Sequence, residues 1–471
     1  MAVNDRYNRQ ELISGWNQER LNASRTVVFG SGNLANYTLV SLAALGIGNV
    51  EIYDTAKVNL DREFLLFQAG EGEYKAKALE RMLKQINPVS RIRGVSTPMS
   101  APLLTIIGKP DVIIDTTNSQ KSKNDILKYA MSRGVRVISA SSDRDKAEMY
   151  FIDSSTEQKD VSLSAYEGKS QGATTSGIMG GIITEELRKA VMPFNASDQP
   201  VRKIAYSLAS PRRFSAEDGK LERENLKDKK VLVVGAGALG NFAVLGAALE
   251  GIGNIDVLDF DDIDSTNLNR QILFYDAVGK MKATALAERV AEIAPRAKIM
   301  GLVEKLDENT KYFQENHPDA ILDCVDSFAV RAIINYFAVK NGIPLISGGT
   351  DPRSGQVVVY EPGKSACLDC KLEVETALAE QRKAAGCRYA PDPSVIMTNQ
   401  IVGNMMVGET LKVLNTGYGE PIRRILKYDS TVPVRGGLVG SDEACECSKP
   451  EVEEWLKQVD KKARGIKHRK H

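Results

Sequence analysis

The chain has 471 residues, with 62 Lys and Arg against 61 Asp and Glu for a net charge of +1. Its length allows two or three domains with full hydrophobic cores, and its near-neutral balance argues against a dedicated nucleic-acid binder. No apolar run approaches the roughly 20 residues that cross a bilayer, and the polar stretch 1–9 lacks the apolar core of a secretory signal, so the cytoplasm is the expected compartment.

From the N-terminus, residues 6–10 read RYNRQ, and VVFGSG at 27–32 closes a short β-branched run. ALGIGNVEIYD then ends at Asp54, YKAKALERMLKQINP starts at Tyr74, DVIIDTTNS at Asp111, RGVRVISA at Arg133 and PVRKIAY at Pro200. Every segment from VVFGSG onward returns later: LVVGAG at 232–237, LEGIGNIDVLD ending at Asp259, KMKATALAERVAEIAP from Lys280, DAILDCVDS from Asp319, NGIPLISG from Asn341 and PIRRILK from Pro421. The spacing stays near roughly 205 to 220 residues, the signature of a duplicated unit. Residues 231–234, 255–259, 321–324 and 345–347 read as buried strands, and 239–249 and 283–293 as helices between them. Such alternation predicts an α/β fold of two tandem Rossmann-like, doubly wound domains. GQVVVYEP, from Gly355, reads as a hairpin arm. The expected division is 1–208, a charged linker at 209–230, a second domain at 231–448, and a short helical basic tail at 449–471.

Gly235, Gly237 and Gly240 form G-x-G-x-x-G between a predicted strand and a predicted helix, where backbone N–H groups can approach phosphate. Asp259 ends the next strand, where a carboxylate can hold a ribose hydroxyl pair. This pattern alone leaves NAD, FAD and ATP open. The segment that follows favours ATP. Asp259-Phe260-Asp261 leads into Asn267-Leu268-Asn269-Arg270-Gln271, with Lys282 beyond. A diphosphate needs little cationic charge outside the loop, whereas an adenylating site must stabilise charge developing on a triphosphate. Arg270 and Lys282 supply cations, and Asp326 can hold Mg²⁺ or, alternatively, cap a helix.

These motifs, with CLDC at 367–370, resemble the family of ubiquitin-activating enzymes and bacterial molybdopterin- and thiamine-pathway adenylyltransferases, in two tandem copies. The resemblance implies that Asp259 and Asp261 belong to the ATP site and that Asn267, Arg270, Gln271 and Lys282 contact the phosphates. Asp326 would then coordinate Mg²⁺, and the reaction would be adenylation of the C-terminal carboxylate of a ubiquitin-like or sulfur-carrier protein ending in Gly-Gly. That carboxylate is ionised at pH 7, so a shortage of histidine (3 in the chain) is no obstacle. The first copy has Ala35 for the third glycine, Thr55-Ala56 after Asp54, and Asn118 where the second has Asp326. It is therefore expected to be an inactive partner, and the resemblance implies that its Arg9 reaches across a pseudo-twofold interface into the other copy's ATP site as an arginine finger. A fused pair of this kind is expected to act as a monomer, an internal pseudo-dimer.

All 6 cysteines lie from Cys324 onward, which suggests a metal site or thiol chemistry rather than a disulfide scaffold. Cys367 and Cys370 have the spacing of a zinc hook, and Cys445 with Cys447, one residue tighter than the family's usual pair, would complete a four-thiolate Zn²⁺ site. Cys324 lies in an apolar strand and reads as core. By resemblance, Cys387, in the loop 371–393, receives the carrier as a thioester, with Arg388 beside it. The competing readings are adenylation feeding sulfur transfer without an obligatory thioester, an NAD-dependent oxidoreductase, and a scaffold without turnover. A conjugating enzyme is a further partner that ubiquitin-type chemistry would need.

Overall fold

The computed structural model describes residues 6–59, 63–157, 159, 161–217, 219, 221–222, 225–383 and 392–466. Strands β1 (Arg25–Phe29), β2 (Asn49–Tyr53), β3 (Arg91–Val95), β4 (Val112–Asp115), β5 (Arg136–Ser142), β6 (Lys146–Ile152) and β7 (Lys203–Ser207) form one sheet in the order β3-β2-β1-β4-β5-β6-β7. The first five strands in that order are parallel and the last two antiparallel. The second sheet repeats this plan with β8 (Lys230–Val234), β9 (Asn254–Leu258), β10 (Lys298–Leu302), β11 (Ala320–Asp323), β12 (Leu345–Thr350), β13 (Ser354–Tyr360), β14 (Ile425–Asp429) and an added β15 (Gly436–Val439), in the order β10-β9-β8-β11-β12-β13-β14-β15. Central strands such as β4 and β11 are buried along their whole length, as expected for strands covered on both faces. Among the described residues no helix is long and apolar enough to cross a membrane.

One sequence match is corrected. PVRKIAY against PIRRILK aligns Tyr206 with Lys427, but the ladders place Lys203 and Ile425 at equivalent positions, so Tyr206 corresponds to Tyr428. A one-residue slip exchanges the two faces of a strand, so the buried pair of tyrosines decides the register.

Between the sheets lies a shared helix layer. Helix Asn33–Leu45 packs on Ala173–Val191, which packs on Ile396–Leu414, which packs on Ala238–Leu249. Being covered on all sides, these helices bury residues on every face rather than along one stripe. Glycines let them approach: a Cβ at Gly403 would come within 2.8 Å of Phe242 Cβ, and one at Gly177 would overlap Asn404. One continuous core consequently joins Val28 and Ile114 of the first repeat to Val233 and Leu322 of the second.

Charges buried in this layer are neutralised crosswise. Arg213, seven residues after Tyr206, pairs with Glu409 of the second repeat (Nε to Oε1, 2.6 Å), and Arg435, seven after Tyr428, pairs with Glu186 of the first (3.1 Å). Lys412 Nζ donates to Leu208 O (2.6 Å) and Lys189 Nζ to Ser430 O (2.7 Å), again across the pseudo-twofold. Within the stretch read as a charged linker, Arg213 is thus tied into the second repeat. Arg213 is 2% exposed and adopts a left-handed backbone (φ 62°), a strained conformation held by its ion pair.

The tail also docks. Helix Val452–Ile466 buries Trp455 against Tyr336, with centroids 4.4 Å apart, and the indole N–H donates to Glu375 (2.7 Å). Burial pushes the Glu375 carboxyl up, but contacts with Lys449, Lys462 and Trp455 outweigh it and hold the group at about 2. Glu409→Ala is expected to leave Arg213 buried without a counter-charge, held only by the Ser210 and Glu420 carbonyls, and cost about 3 kcal/mol or more. Urea unfolding followed by Trp16 in the first repeat and Trp455 in the second should show one transition shifted to lower urea. Separate transitions for the two probes would contradict a shared core.

Candidate functional site

β8 ends at Val234, and the chain turns at Gly235 with φ +96°, where a Cβ would lie 3.0 Å from the Cys324 backbone. A Cβ on Gly240 would overlap Gly235 O, so this third glycine serves helix–strand packing. Gly237 is different. A Cβ there meets nothing nearer than Gln271 Nε2 at 3.8 Å, and no side chain caps helix Ala238–Leu249, whose N-terminal N–H groups face an open cradle. The buried Gln271 Oε1 has no hydrogen-bond partner among the described residues.

Asp259, just past β9, holds the loop: its Oδ2 accepts from Ala236 N (2.6 Å) and its Oδ1 from Asp261 N (2.8 Å), while burial pushes the carboxyl up. Asp261 pairs with Lys282 at 2.8 Å. Downstream, the Asp264 carboxylate accepts from Thr266 N (2.8 Å) and the Asp264 N–H donates to Asn267 Oδ1 (3.1 Å), so Asn267 acts here as a cap. Arg270 is 8% exposed; burial first, then the nearby Arg9, bring its guanidinium down to about 10, while Asp326 and Asp264 pull it up. Such a guanidinium is a cation with too little compensating charge, as an anion-binding residue should be before its ligand arrives.

Asp326 is exposed. Ser327, not Asp326, caps helix Phe328–Asn341, which corrects the capping alternative and leaves this carboxylate without a protein hydrogen bond among the described residues. A free carboxylate beside a phosphate cradle suits Mg²⁺. Buried Asp323, three residues earlier, is held by Ser347 (2.6 Å) and Arg331 (3.5 Å) and stiffens the strand end from which Asp326 projects. The Cys324 thiol is buried and pushed well up by desolvation, in keeping with a core role.

The first repeat reaches into this site. Ser394 N donates to Arg9 O (3.1 Å), Arg9 NH1 donates to Asp392 O (3.2 Å), and Arg6 NH1 donates to Leu268 O (3.1 Å). Asp259 and Asp261 are thus tied to the glycine turn and to Lys282, Gln271 lies beside Gly237, and Arg9 and Asp326 act on Arg270 electrostatically, while Gly240 and Asn267 serve the scaffold. Cys387 and Arg388 lie outside the described residues. Of the stretch read as the loop 371–393, helix Val374–Lys383 takes most of the described part.

The equivalent place in the first repeat is filled from within. Gln171 Oε1 accepts from Leu34 N (3.0 Å) and lies 2.5 Å from where a Cβ on Gly32 would sit, so an amide oxygen occupies the mouth of the cradle. Lys75, the counterpart of Lys282, is neutralised by Glu63 (2.5 Å), and Asn118 donates to Ser142 O (3.0 Å). Sequence pattern alone does not single out Gln171, whose partners are distant in the chain. It does carry a signal for Asp264, in the D-x-x-N of a cap.

Sulfur atoms of Cys367, Cys370, Cys445 and Cys447 lie within 4.8 Å of one another. Zn–S bonds of about 2.3 Å in a tetrahedron put sulfurs about 3.8 Å apart, so this donor set fits Zn²⁺.

Two doubly wound sheets of one plan, the second with an uncapped helix N-terminus at its glycine turn, define a duplicated Rossmann-like α/β protein. The chain belongs to the ThiF family, whose model matches residues 6–210 and again 206–447. It is 34% identical to the molybdopterin-synthase adenylyltransferase of Escherichia coli, over 44% of this chain and 82% of that protein. It is 30% identical to the adenylyltransferase and sulfurtransferase UBA4 of Yarrowia lipolytica, over 47% of this chain and 54% of that protein. Identity to SUMO-activating enzyme subunit 2 of Dictyostelium discoideum is 30%, over 40% of this chain and 28% of that protein. The chain thus spans about half the length of the Yarrowia relative. This family sets aside the NAD oxidoreductase reading. Cys370→Ser is expected to lose stoichiometric zinc and lower the thermal midpoint, measured by atomic emission and calorimetry. Full zinc in that variant would exclude the four-thiolate site.

Proposed function

We propose that the chain adenylates the C-terminal glycine carboxylate of a ubiquitin-like or sulfur-carrier protein with ATP, and that the second repeat does the chemistry. What supports this most directly is the buried Arg270, close enough to Arg9 of the first repeat and to Asp326 of the second to feel both charges, in the same repeat as a glycine turn left open at Gly237. The cradle N–H groups hold phosphate oxygens, and Asp259 holds the ribose. Arg270, Lys282 and Arg9 face the triphosphate. Mg²⁺, when held by Asp326, supplies charge neutralisation on the phosphates. The carrier carboxylate, already ionised, attacks the α-phosphorus; the bond to the β-phosphate oxygen breaks, pyrophosphate leaves, and no proton need be removed.

The first repeat binds no nucleotide in this reading, because Gln171, Glu63 and Asn118 occupy its equivalent positions. It serves instead as the donor of Arg9. In a second step the Cys387 sulfur attacks the acyl carbonyl, a thioester forms and AMP leaves; this rests on the sequence position of Cys387. Relatives named for molybdopterin synthase and for sulfurtransfer favour the other reading, a sulfur carrier released as the adenylate without a thioester.

The test uses ATP, Mg²⁺ and candidate carriers ending in Gly-Gly, read by ATP–pyrophosphate exchange and by non-reducing gels. Asp326→Ala and Arg270→Ala are expected to lower exchange by about 100-fold or more, the loss seen when one transition-state donor is removed. Cys387→Ala should keep exchange and lose a thiol-sensitive adduct; exchange with no adduct in the wild type selects the sulfur-carrier reading. No exchange with any carrier leaves a scaffold. Calorimetry should find one ATP per chain, and two would show that the first cradle is open.

A further inference from the structure

Gln10 and Asn269 come from different repeats, are fully buried and touch each other. Hydrogen-bond polarity along their path has a single solution. Leu45 O can only accept, and Gln10 Nε2 (3.0 Å) and Gln18 Nε2 (3.1 Å) both donate to it. Gln10 Nε2 also donates to Gln18 Oε1 (2.7 Å), an oxygen that Trp16 Nε1 fixes from the other side (3.0 Å). The Gln10 oxygen must therefore face the second repeat, where Asn269 Nδ2 donates to it (3.1 Å) and to Ser394 O (3.3 Å). That leaves Asn269 Oδ1 as an acceptor, and Arg270 NH1 takes it at 2.8 Å.

NH1 also donates to Thr266 O at 2.8 Å. One nitrogen of the guanidinium is thus engaged twice by protein, while Nε and NH2 donate to no protein acceptor among the described residues. Such an arrangement fixes the plane of the group and keeps one edge free. Without Asn269, the guanidinium could turn towards the carboxylates of Asp264 or Asp326, both close enough to influence it.

We propose that Gln10 of the first repeat is a positioning residue for the second repeat's phosphate site, acting through Asn269 to hold Arg270 with its free edge towards the ligand. This rests on the nucleotide-site reading above. It gives the first repeat a second contribution, separate from Arg9: a buried amide relay from Leu45 O to the guanidinium. A buried relay has one arrangement in which every donor meets an acceptor, so it transmits position more sharply than a flexible surface contact.

A double-mutant cycle on the full chain tests it. Equilibrium binding of radiolabelled ATP with Mg²⁺ is measured for the wild type, Gln10→Met, Arg270→Ala and the double variant. Gln10→Met is expected to weaken ATP binding about tenfold, the scale of one hydrogen bond to a charged group, in the wild-type background. In the Arg270→Ala background it should change binding by less than about twofold, because the residue it acts through is gone. An equal loss in both backgrounds, or none in the first, overturns the relay. If Gln10→Met does not fold, Asn269→Leu enters the same cycle with the same expectations. A wild-type chain that binds no ATP overturns the nucleotide-site reading, and the relay with it; binding in the wild type with a multiplicative cycle overturns the relay alone.

Discussion

A buried carboxylate needs a counter-charge, and for Glu186 and Glu409 a buried arginine from the opposite repeat supplies it, at Glu186 together with Lys189 of the same helix. Each lies in the shared helix layer and is fully buried, and Arg435 and Arg213 close the two pairs crosswise. Removing one partner of such a pair costs several kcal/mol, about 3–5 by general experience, so neither repeat can complete its core alone. The glycine contacts between the central helices demand the same thing sterically, since the backbones there approach too closely for a side chain. The two arrangements are mutually reinforcing: close approach dries the layer, and a dry layer makes the ion pairs obligatory.

This lock has a consequence at the other end of the molecule. The arm that carries Arg6, Arg9 and Gln10 belongs to the first repeat but lies on residues 268–269 and 392–394 of the second. A short helix of four residues, Asn8–Glu11, would not hold a guanidinium in place by itself. It is held because the repeats beneath it cannot rotate against each other. Two-chain pseudo-symmetric assemblies reach the same end by association, whereas fusion makes the partner's local concentration independent of dilution.

Duplication also freed the copies to diverge. Where the second repeat leaves its helix N-terminus uncapped and its Asp326 unpaired, the first spends Gln171 on the Leu34 N–H and Asn118 on Ser142 O. The matching lysines are paired in both copies, Lys75 with Glu63 and Lys282 with Asp261.

Much of this was legible in the sequence because it is local. Strand and helix periods, the glycine turn after β8 and the acidic end of β9 follow from residues near one another in the chain, and the strand read at 345–347 runs on to Thr350; the two copies were legible because whole segments recur. The four cysteines were read as one site from their spacing, and the fold brings their sulfurs together although Cys445-x-Cys447 is the tighter pair. Tertiary structure decided the rest. It shifted the Tyr206–Tyr428 register by one residue, since only the buried face of a strand settles a choice that sequence similarity leaves even. It also gave the capping role to Ser327, turned charged Arg213 inward to meet Glu409, placed Gln171 over the first cradle, and aligned Gln10 with Asn269. The sequence by itself determined which elements form and which chemistry they carry. Which charges are buried, which cradle stays open and which side chains meet across the repeats depend on partners more than a hundred residues apart in the chain, and a linear pattern holds no record of those distances.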